Sequence, residues 1–587
     1  MFMRRLAFFL LLAFFVAGVS AECSTAEQGD TWCSGTNPYL QADYSPSAKY
    51  SFDSRHRSLT ITLQPKDDAN VLFGDSEIFD AGTDANPAWQ PMPSCFEELE
   101  SDNYHGGVRM HAAYKPLCQS CGGNYVIKTD FGLAGQPDFR GHFTAALKIP
   151  CAADVAIVTV GSKLDKTSRV RINSEYFGYE QALLTYVEHL SSLQNSSMTV
   201  RYVELDDNAS ITSFGYSFSQ SFGMNSAAAS SNLVKPVRKV LKKTGSDYLV
   251  IMGGVSVVPM PWRADSAGED GMQYFQSFDG RVPSDDAYSM TAKNKEPSVV
   301  VSRFPTPVSD DPSPSSAAIT TMVSTVYSDA PSLSNTVIVS DACNVFGPED
   351  CTLEHLADSV LNGMFAFGPS TKHCSSDSMC ELAPDFCYEV YPDRGAVLPN
   401  CRGNSILNEL FAKDGIVFIT HGDGRHVLAE NTLNNDQYKI LDADHLLERA
   451  DSEDFLENRP LVFFNCAYCG AVDGYLHADS HGELAFTRSA SYGSSLVLGF
   501  AAAGARAIVG RTRVGFDESS SVAAALSGGP LYPKMIGDFY RGSQNLGQAF
   551  LQMKKSAYAA GAAPGDRRFA DAETLVLYGD PFQVPVS

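Results

Sequence analysis

Positive charge is scarce in this sequence. Lysine and arginine together number 44, against 68 aspartates and glutamates, for a formal net charge of -24. A chain with that balance has little to offer phosphate backbones or anionic membrane surfaces, so nucleic-acid and peripheral lipid binding are set aside. The acidic residues are spread along the chain, which solubility alone accounts for. Long apolar runs are scarce too. After residue 21 no stretch reaches the about 18 uninterrupted apolar residues that a membrane span needs. No short-period repeat occurs, which argues against a solenoid. No contiguous calcium loop is present. Nothing in the sequence requires a cofactor, and calcium binding is left open.

What is there begins with an export signal. Arg4 and Arg5 precede an apolar run from Leu6 to Val16, and Val19-Ser20-Ala21 fits the small-residue cleavage rule. Residues 1–21 are therefore expected to be a signal peptide and the mature protein to be secreted, either extracellular or periplasmic. Asn195-Ser-Ser and Asn208-Ala-Ser are candidate glycan acceptors. All 14 cysteines come after residue 21, and an oxidising compartment favours disulfides among them. Six lie between Cys23 and Cys151, six between Cys343 and Cys401, and Cys466 and Cys469 are left over.

At 587 residues the chain is too long for one core. Residues 22–151 are irregular, with short alternating pieces such as Leu59-Thr-Ile-Thr-Leu63, and read as a small disulfide-bonded, mostly β domain. The texture changes at Asp154. Buried strands over 155–160, 200–205 and 248–252 alternate with helices over 179–193 and 233–243, the pattern of a parallel sheet with crossover helices. A strand over 299–301 and a loop rich in Pro, Ser and Asp close this region. It divides into an α/β subdomain at 152–305 and a second at 306–587. The second carries strands over 337–339, 416–419, 461–464, 507–509 and 574–577. A helix is expected to begin near Thr352, and a late one spans 546–559.

Two of these strands matter most. Ile416 to Ile419 ends in Thr420-His421-Gly422, and Leu461 to Phe464 leads to Asn465-Cys466. Uninterrupted apolar runs of this kind are strands buried on both faces, and they deliver the next residues to the carboxyl edge of the sheet. Singly, a His after a strand or a Cys at its end is more often structural. Paired, they set an imidazole beside a thiol, which it can deprotonate for attack on a carbonyl carbon. Gly422 leaves the backbone next to His421 free to approach a substrate.

The ordered set of motifs resembles the gingipain-like cysteine peptidases, a branch of the caspase-like group. The pieces are Y-L-V-I-M-G-G at 248–254, S-D-D-A-Y at 284–288, S-R-F-P at 302–305, N-L-G-Q-A-F at 545–550 with Lys554, and L-Y-G-D-P at 577–581. With the strands ending in His-Gly and in Cys, the resemblance covers nearly three quarters of the chain. It implies a caspase-like catalytic region of two parallel-sheet α/β subdomains, and endopeptidase action on protein or peptide substrates. It also implies a Cys466–His421 pair oriented by an acid, Glu354 or its rival Asp341, although Glu354 reads equally well as a first-turn acid favoured by its helix's dipole. The strand after the nucleophile would wall the primary pocket with Arg511, Thr512 and Arg513. Those arginines could pair an acidic substrate side chain, or else Asp517 and Glu518. Nothing in the sequence sets the oligomeric state.

Where the family reads Cys-x-x-Gly, this chain has Cys469, with Gly470 one residue later. Cys469 is therefore a rival nucleophile. A C-x-x-C pair in an oxidising compartment can also close on itself, storing the nucleophile as a disulfide. At a sheet edge that bond is expected to be exposed and readily reduced. Two other function classes stay open: a zinc module at Cys466, Cys469, His477 and His481, and an inactive relative that only binds. The block 22–151 is expected to act as a pro-domain over the cleft. Trimming it should then raise turnover of a small substrate, and equal rates for intact and trimmed protein would reject that role.

Overall fold

The computed structural model describes strands and turns within 29–148, most of 151–264 and 281–340, the short strand 372–374, and most of 410–512, 531–560 and 572–585. The chain divides into two compact units. The first runs to Asp154 and takes in 190–202 and 208–217; the second holds the remainder from Val155 onward.

In the first unit the alternating sequences form antiparallel sheet. One sheet has five strands in the order Gly29–Ser34, Ser47–Asp53, Ser58–Gln64, Gly107–Ala113, Glu100–Tyr104. The other has three: Val71–Asp80, Asn124–Leu133 and Gln136–Lys148. Leu59, Ile61 and Leu63, two apart on one face, are all buried, as their period requires. The two sheets share a buried polar link. The hydroxyls of Tyr50 and Ser76 both donate to that of Thr129, at 3.0 and 2.7 Å. Cys151 is disulfide-bonded.

The second unit is α/β. Its sheet strands are β1 (Val155–Thr159), β2 (Val200–Glu204, of which Val200–Tyr202 group with the first unit), β3 (Tyr248–Met252), β4 (Val300–Phe304), β5 (Thr336–Ser340), β6 (Lys372–Cys374), β7 (Gly415–Ile419), β8 (Leu461–Asn465), β9 (Ala507–Arg511) and β10 (Leu575–Gly579). The helices are α1 (Tyr179–Ser192), α2 (Ala227–Thr244), α3 (Ala317–Ser324), α4 (Ala443–Ala450), α5 (Leu496–Ala502), α6 (Leu531–Tyr540) and α7 (Leu546–Ala560), with a single helical turn at Asp286–Ser289. The strands form one ten-stranded sheet, ordered β2-β1-β3-β4-β10-β9-β8-β7-β5-β6. Neighbours from β1 across to β10 pair parallel, and those from β9 across to β6 pair parallel again. β9 and β10 meet antiparallel, in a single seam. The carboxyl ends of β5, β7, β8 and β9 therefore share one edge of the sheet, and those of β1, β3, β4 and β10 share the other.

β7 and β8 are held from both sides by aromatic layers. Phe418 stacks on Phe464 with centroids 5.3 Å apart, and both meet Phe500 of α5. On the other face Phe463 packs on Phe539 and Tyr540 of α6. On α2, Leu233, Val237, Val240 and Leu241 are all buried, as their helical spacing predicts. No helix among the described residues is long and apolar enough to cross a membrane.

Two strands run further than their apolar content suggests. β4 continues through Arg303 and β9 through Arg511, and both arginines are wholly buried. The reason at Arg303 is complete pairing. Its Nε and Nη2 donate to the two carboxylate oxygens of Asp285 at 2.9 and 2.5 Å, and Nη1 donates to the carbonyls of Gly253 and Val258 at 2.8 and 2.6 Å. Burial alone would lower the Arg303 pKa, but Asp285 more than offsets it and the pKa stays raised. Asp286 accepts from Lys554 Nζ at 2.5 Å and from the Tyr558 hydroxyl at 2.8 Å. Arg263 in turn donates to Tyr558 at 2.5 Å and pairs with Glu573 at 3.1 Å. After β10, Asp580 accepts from the Tyr186 hydroxyl at 2.9 Å and the Gln583 amide at 2.6 Å. Asn545 caps α7 reciprocally with Gln548 and reaches the Tyr248 hydroxyl at 2.8 Å.

Removing one member of a buried, hydrogen-bonded ion pair strands the other. Asp285→Ala should therefore cost about 3–5 kcal/mol, read as a large drop in thermal midpoint or failure to accumulate folded protein. Lys166→Ala breaks only the partly exposed pair with Glu204 and should cost less than about 1 kcal/mol. Equal losses would show that the buried pair has no special role.

Candidate functional site

β7 and β8 are parallel neighbours, in register from Gly415 beside Leu461 to Ile419 beside Asn465. His421 and Cys466 thus leave the same sheet edge from adjacent strands. Past Ile419 the chain turns at once into a hairpin. His421–Gly422 pairs antiparallel with His426–Glu430, His421 opposite Leu428 and Gly422 opposite Val427, and Gln437–Asp442 adds a third strand. The tight bend needs Gly424, at φ +85.

That bend lies against the turn at the end of β8. A Cβ on Gly424 would stand 3.2 Å from the Tyr468 carbonyl oxygen. The Gly424 carbonyl itself accepts from the Leu496 N–H at 2.8 Å, at the start of α5. The hairpin that carries His421 and the turn that carries Cys466 are therefore in direct contact.

The turn is clamped at its exit. Gly470 N–H donates to the Arg511 carbonyl at 2.7 Å, and the Gly470 carbonyl accepts from the Tyr578 hydroxyl at 2.7 Å. Gly470 lies so close to Gly510 that an added Cβ would meet its carbonyl carbon at 2.3 Å. Next, Ala471 N–H donates to the Tyr468 carbonyl at 2.7 Å, and the Ala471 carbonyl accepts from Ser495, the residue that caps α5, at 2.8 Å. Inside the turn the sulfurs of Cys466 and Cys469 are joined in a disulfide, with Cα atoms 5.6 Å apart. Tyr468 between them sits at φ +59, a conformation costly for a residue with a large side chain. Both half-cystines have 0% exposure, which corrects the expectation of an exposed bond. The hairpin bend and the Gly470–Gly510 contact enclose the turn, whereas a bare strand end would leave it in solvent.

Asn465, directly before Cys466, is also fully buried, and neither its amide nitrogen nor its amide oxygen has a hydrogen-bond partner among the described residues. In the hairpin, His426 Nε2 lies 3.1 Å from an Asp442 carboxylate oxygen, and Arg425 reaches the other oxygen at 3.2 Å while also pairing with Asp444. Neither Asn465 nor the His426–Asp442 pair stands out in the sequence. The second depends on the hairpin register, which slips between Val427 and Leu428, and a slip of that kind leaves no mark in residue spacing.

Of the residues singled out from sequence, the fold brings His421, Gly422, Cys466 and Cys469 to one sheet edge. Arg511 ends β9 on the same edge, wholly buried. Thr512 comes next, with its N–H and hydroxyl both directed to the Thr574 carbonyl at 2.9 and 3.2 Å. His477 lies in the short strand Tyr475–Ala478. Glu354, Asp341, Arg513, Asp517, Glu518 and His481 lie outside the described residues. With its sulfurs bonded to each other, the C-x-x-C pair has no thiolate to offer a zinc ion in this oxidation state. No protein-family model matches the chain, and no curated protein matches it significantly.

Asp442 titrates below the ordinary carboxylate range. Burial alone would raise its pKa, but the Asp444 backbone N–H, His426 and Arg425 outweigh it. A carboxylate with a lowered folded pKa contributes stability above its unfolded pKa, and that stability is lost as pH falls through the folded value. The hairpin should therefore lose amide-exchange protection over 426–430 below about pH 4, and Asp442→Asn should abolish that acid step. Protection that stays flat into the acid range would show that Asp442 does not hold the hairpin.

Proposed function

We propose that this protein is an exported cysteine endopeptidase, similar in its chemistry to the gingipain-like peptidases, in which Cys466 is the nucleophile and His421 its base. The single observation that carries this reading is the placement of His421 and Cys466 beyond the ends of adjacent, register-matched parallel strands, with the hairpin of the first resting on the turn of the second. The two parallel runs on either side of the β9–β10 seam support reading 152–305 and 306–587 as two α/β subdomains, although β10 crosses to join the first run.

In this mechanism the imidazole of His421 takes the thiol proton, and the thiolate attacks the peptide carbonyl. Backbone N–H groups at Gly422 and at the strand end stabilise the oxyanion. The amine leaves with the proton held by His421, and water then hydrolyses the thioester. Glu354 would orient the imidazole. Arg511, Thr512 and Arg513 would wall the primary pocket, where an acidic substrate side chain would compete with Asp517 and Glu518 for the arginines. Substrates are proteins or peptides, and the chemistry itself requires no cofactor.

The full burial of Cys466 favours a second reading, a relative that keeps the fold and only binds. Turnover of a diverse peptide library by reduced mature protein separates the two. On the peptidase reading Cys466→Ala loses essentially all cleavage, and His421→Ala loses about 10²–10⁴-fold. Full activity in folded Cys466→Ala would sink the assignment, and activity lost only in Cys469→Ala would move the nucleophile by three residues. Cleavage after Arg or Lys, with none after Asp or Glu, would reject the acidic pocket.

A further inference from the structure

We infer that the Cys466–Cys469 disulfide is a reversible lock on the proposed nucleophile, opened by a dithiol reductant; the inference rests on the reading of Cys466 as the attacking sulfur. While the bond exists, Cys466 has no proton for His421 to take and no thiolate to present. The lock and the catalytic group are the same atom.

Three observations distinguish this bond from a structural staple. First, it spans only three positions. Chain-entropy stabilisation grows with the length of the loop closed, so this loop is among the least useful to staple. Second, the turn already has other fastenings. Gly470 is held by Arg511 and Tyr578, and Ala471 by Tyr468 and Ser495. These bonds act almost wholly on the residues after Cys469. Opening the disulfide therefore removes one restraint from the segment 466–469 while its exit stays anchored to β9, β10 and α5. Third, that segment carries a cost of its own in Tyr468 at φ +59, which the disulfide helps to hold. Reduction thus removes a restraint from the nucleophile's own segment and leaves the sheet in place.

With both half-cystines buried, the residues around the turn must move before a reductant reaches sulfur. Gly424 of the hairpin lies against the Tyr468 carbonyl, and in the proposed exchange that bend is the element that moves. In the exchange, a reductant thiolate attacks one sulfur and displaces the other as a thiolate. The reductant's second thiolate then attacks its own sulfur in the mixed disulfide and displaces the remaining protein thiolate. The protein gains two electrons and two protons as two thiols, and the reductant leaves as its disulfide. Cys466 is then free to pass its proton to His421.

The test uses the full mature chain. As-isolated protein is denatured, alkylated with iodoacetamide, reduced with dithiothreitol and labelled with N-ethylmaleimide. In parallel, peptidase activity is measured on native protein before and after dithiothreitol. The expected result is N-ethylmaleimide on both Cys466 and Cys469. If about 99% of isolated protein is oxidised, reduction raises activity about 100-fold. Cys469→Ser, or Cys469→Ala if the first folds poorly, should be active without reductant. Iodoacetamide on both residues before reduction, or equal activity with and without dithiothreitol, overturns the lock and leaves the peptidase reading standing. A bond present in wild type, with reduced wild type and folded Cys469→Ser both inactive, overturns the peptidase reading and the lock with it. The labelling of wild-type protein decides whether the bond exists even if neither variant folds.

Discussion

The second unit is organised around β10. It pairs parallel with β4 on one side and antiparallel with β9 on the other, so it is the strand that makes two parallel runs into one sheet. Its Tyr578 lies opposite Arg303 in one register and opposite Ile508 in the other, and its hydroxyl holds the Gly470 carbonyl. The buried charge network of the first run and the cysteine turn of the second are thus tied to one residue. Because β9 and β10 run in opposite directions, the residues just before β10 lie at the edge where β9 ends. This is why the Thr574 carbonyl can receive both donors of Thr512.

Much of this was legible in the sequence, and for a physical reason. A strand buried on both faces must be apolar at every position, so 461–464 and 416–419 announce themselves. The same rule misplaces ends. Arg303 and Arg511 break the apolar run, and the strand continues through them. For Arg303 the partner that makes burial tolerable, Asp285, sits 18 residues earlier and carries no local mark. The motifs that carry the resemblance have a structural content of their own. S-D-D-A-Y contributes Asp285 and Asp286, S-R-F-P contributes Arg303, the late helix contributes Lys554, and L-Y-G-D-P contributes Tyr578 and Asp580. They are the members of the electrostatic frame, spread along the sequence and gathered by the fold. The strand-end pair, by contrast, takes its meaning only from adjacency, and adjacency comes from the parallel pattern.

Residue spacing could not supply the surroundings of the cysteine turn. Its burial depends on a hairpin bend and on a glycine–glycine contact between 470 and 510. Both need three-dimensional closeness that spacing does not encode. The turn also concentrates unfavourable features. Tyr468 holds a left-handed backbone, and Asn465 has an amide without partners among the described residues, a burial that costs about 1–3 kcal/mol in general. The aromatic layers of Phe418, Phe464 and Phe500, and of Phe463, Phe539 and Tyr540, sit directly behind this turn. Their packing stabilises the strands that carry it and so helps to offset such costs.

Charge bears on the same turn. A thiolate in a fully enclosed site suffers desolvation, and burial pushes a thiol's pKa up. A disulfide carries no charge and meets no such penalty. The enclosed turn is thus compatible with the oxidised sulfurs and poorly compatible with a thiolate nucleophile. On the proposed peptidase reading, a reduced Cys466 would ionise only with an imidazolium beside it and with the hairpin moved enough to admit water or substrate. On the same reading, oxidation state and hairpin position would be coupled through the same electrostatics: bonded sulfurs would favour the closed hairpin, and a Cys466–His421 ion pair an open one.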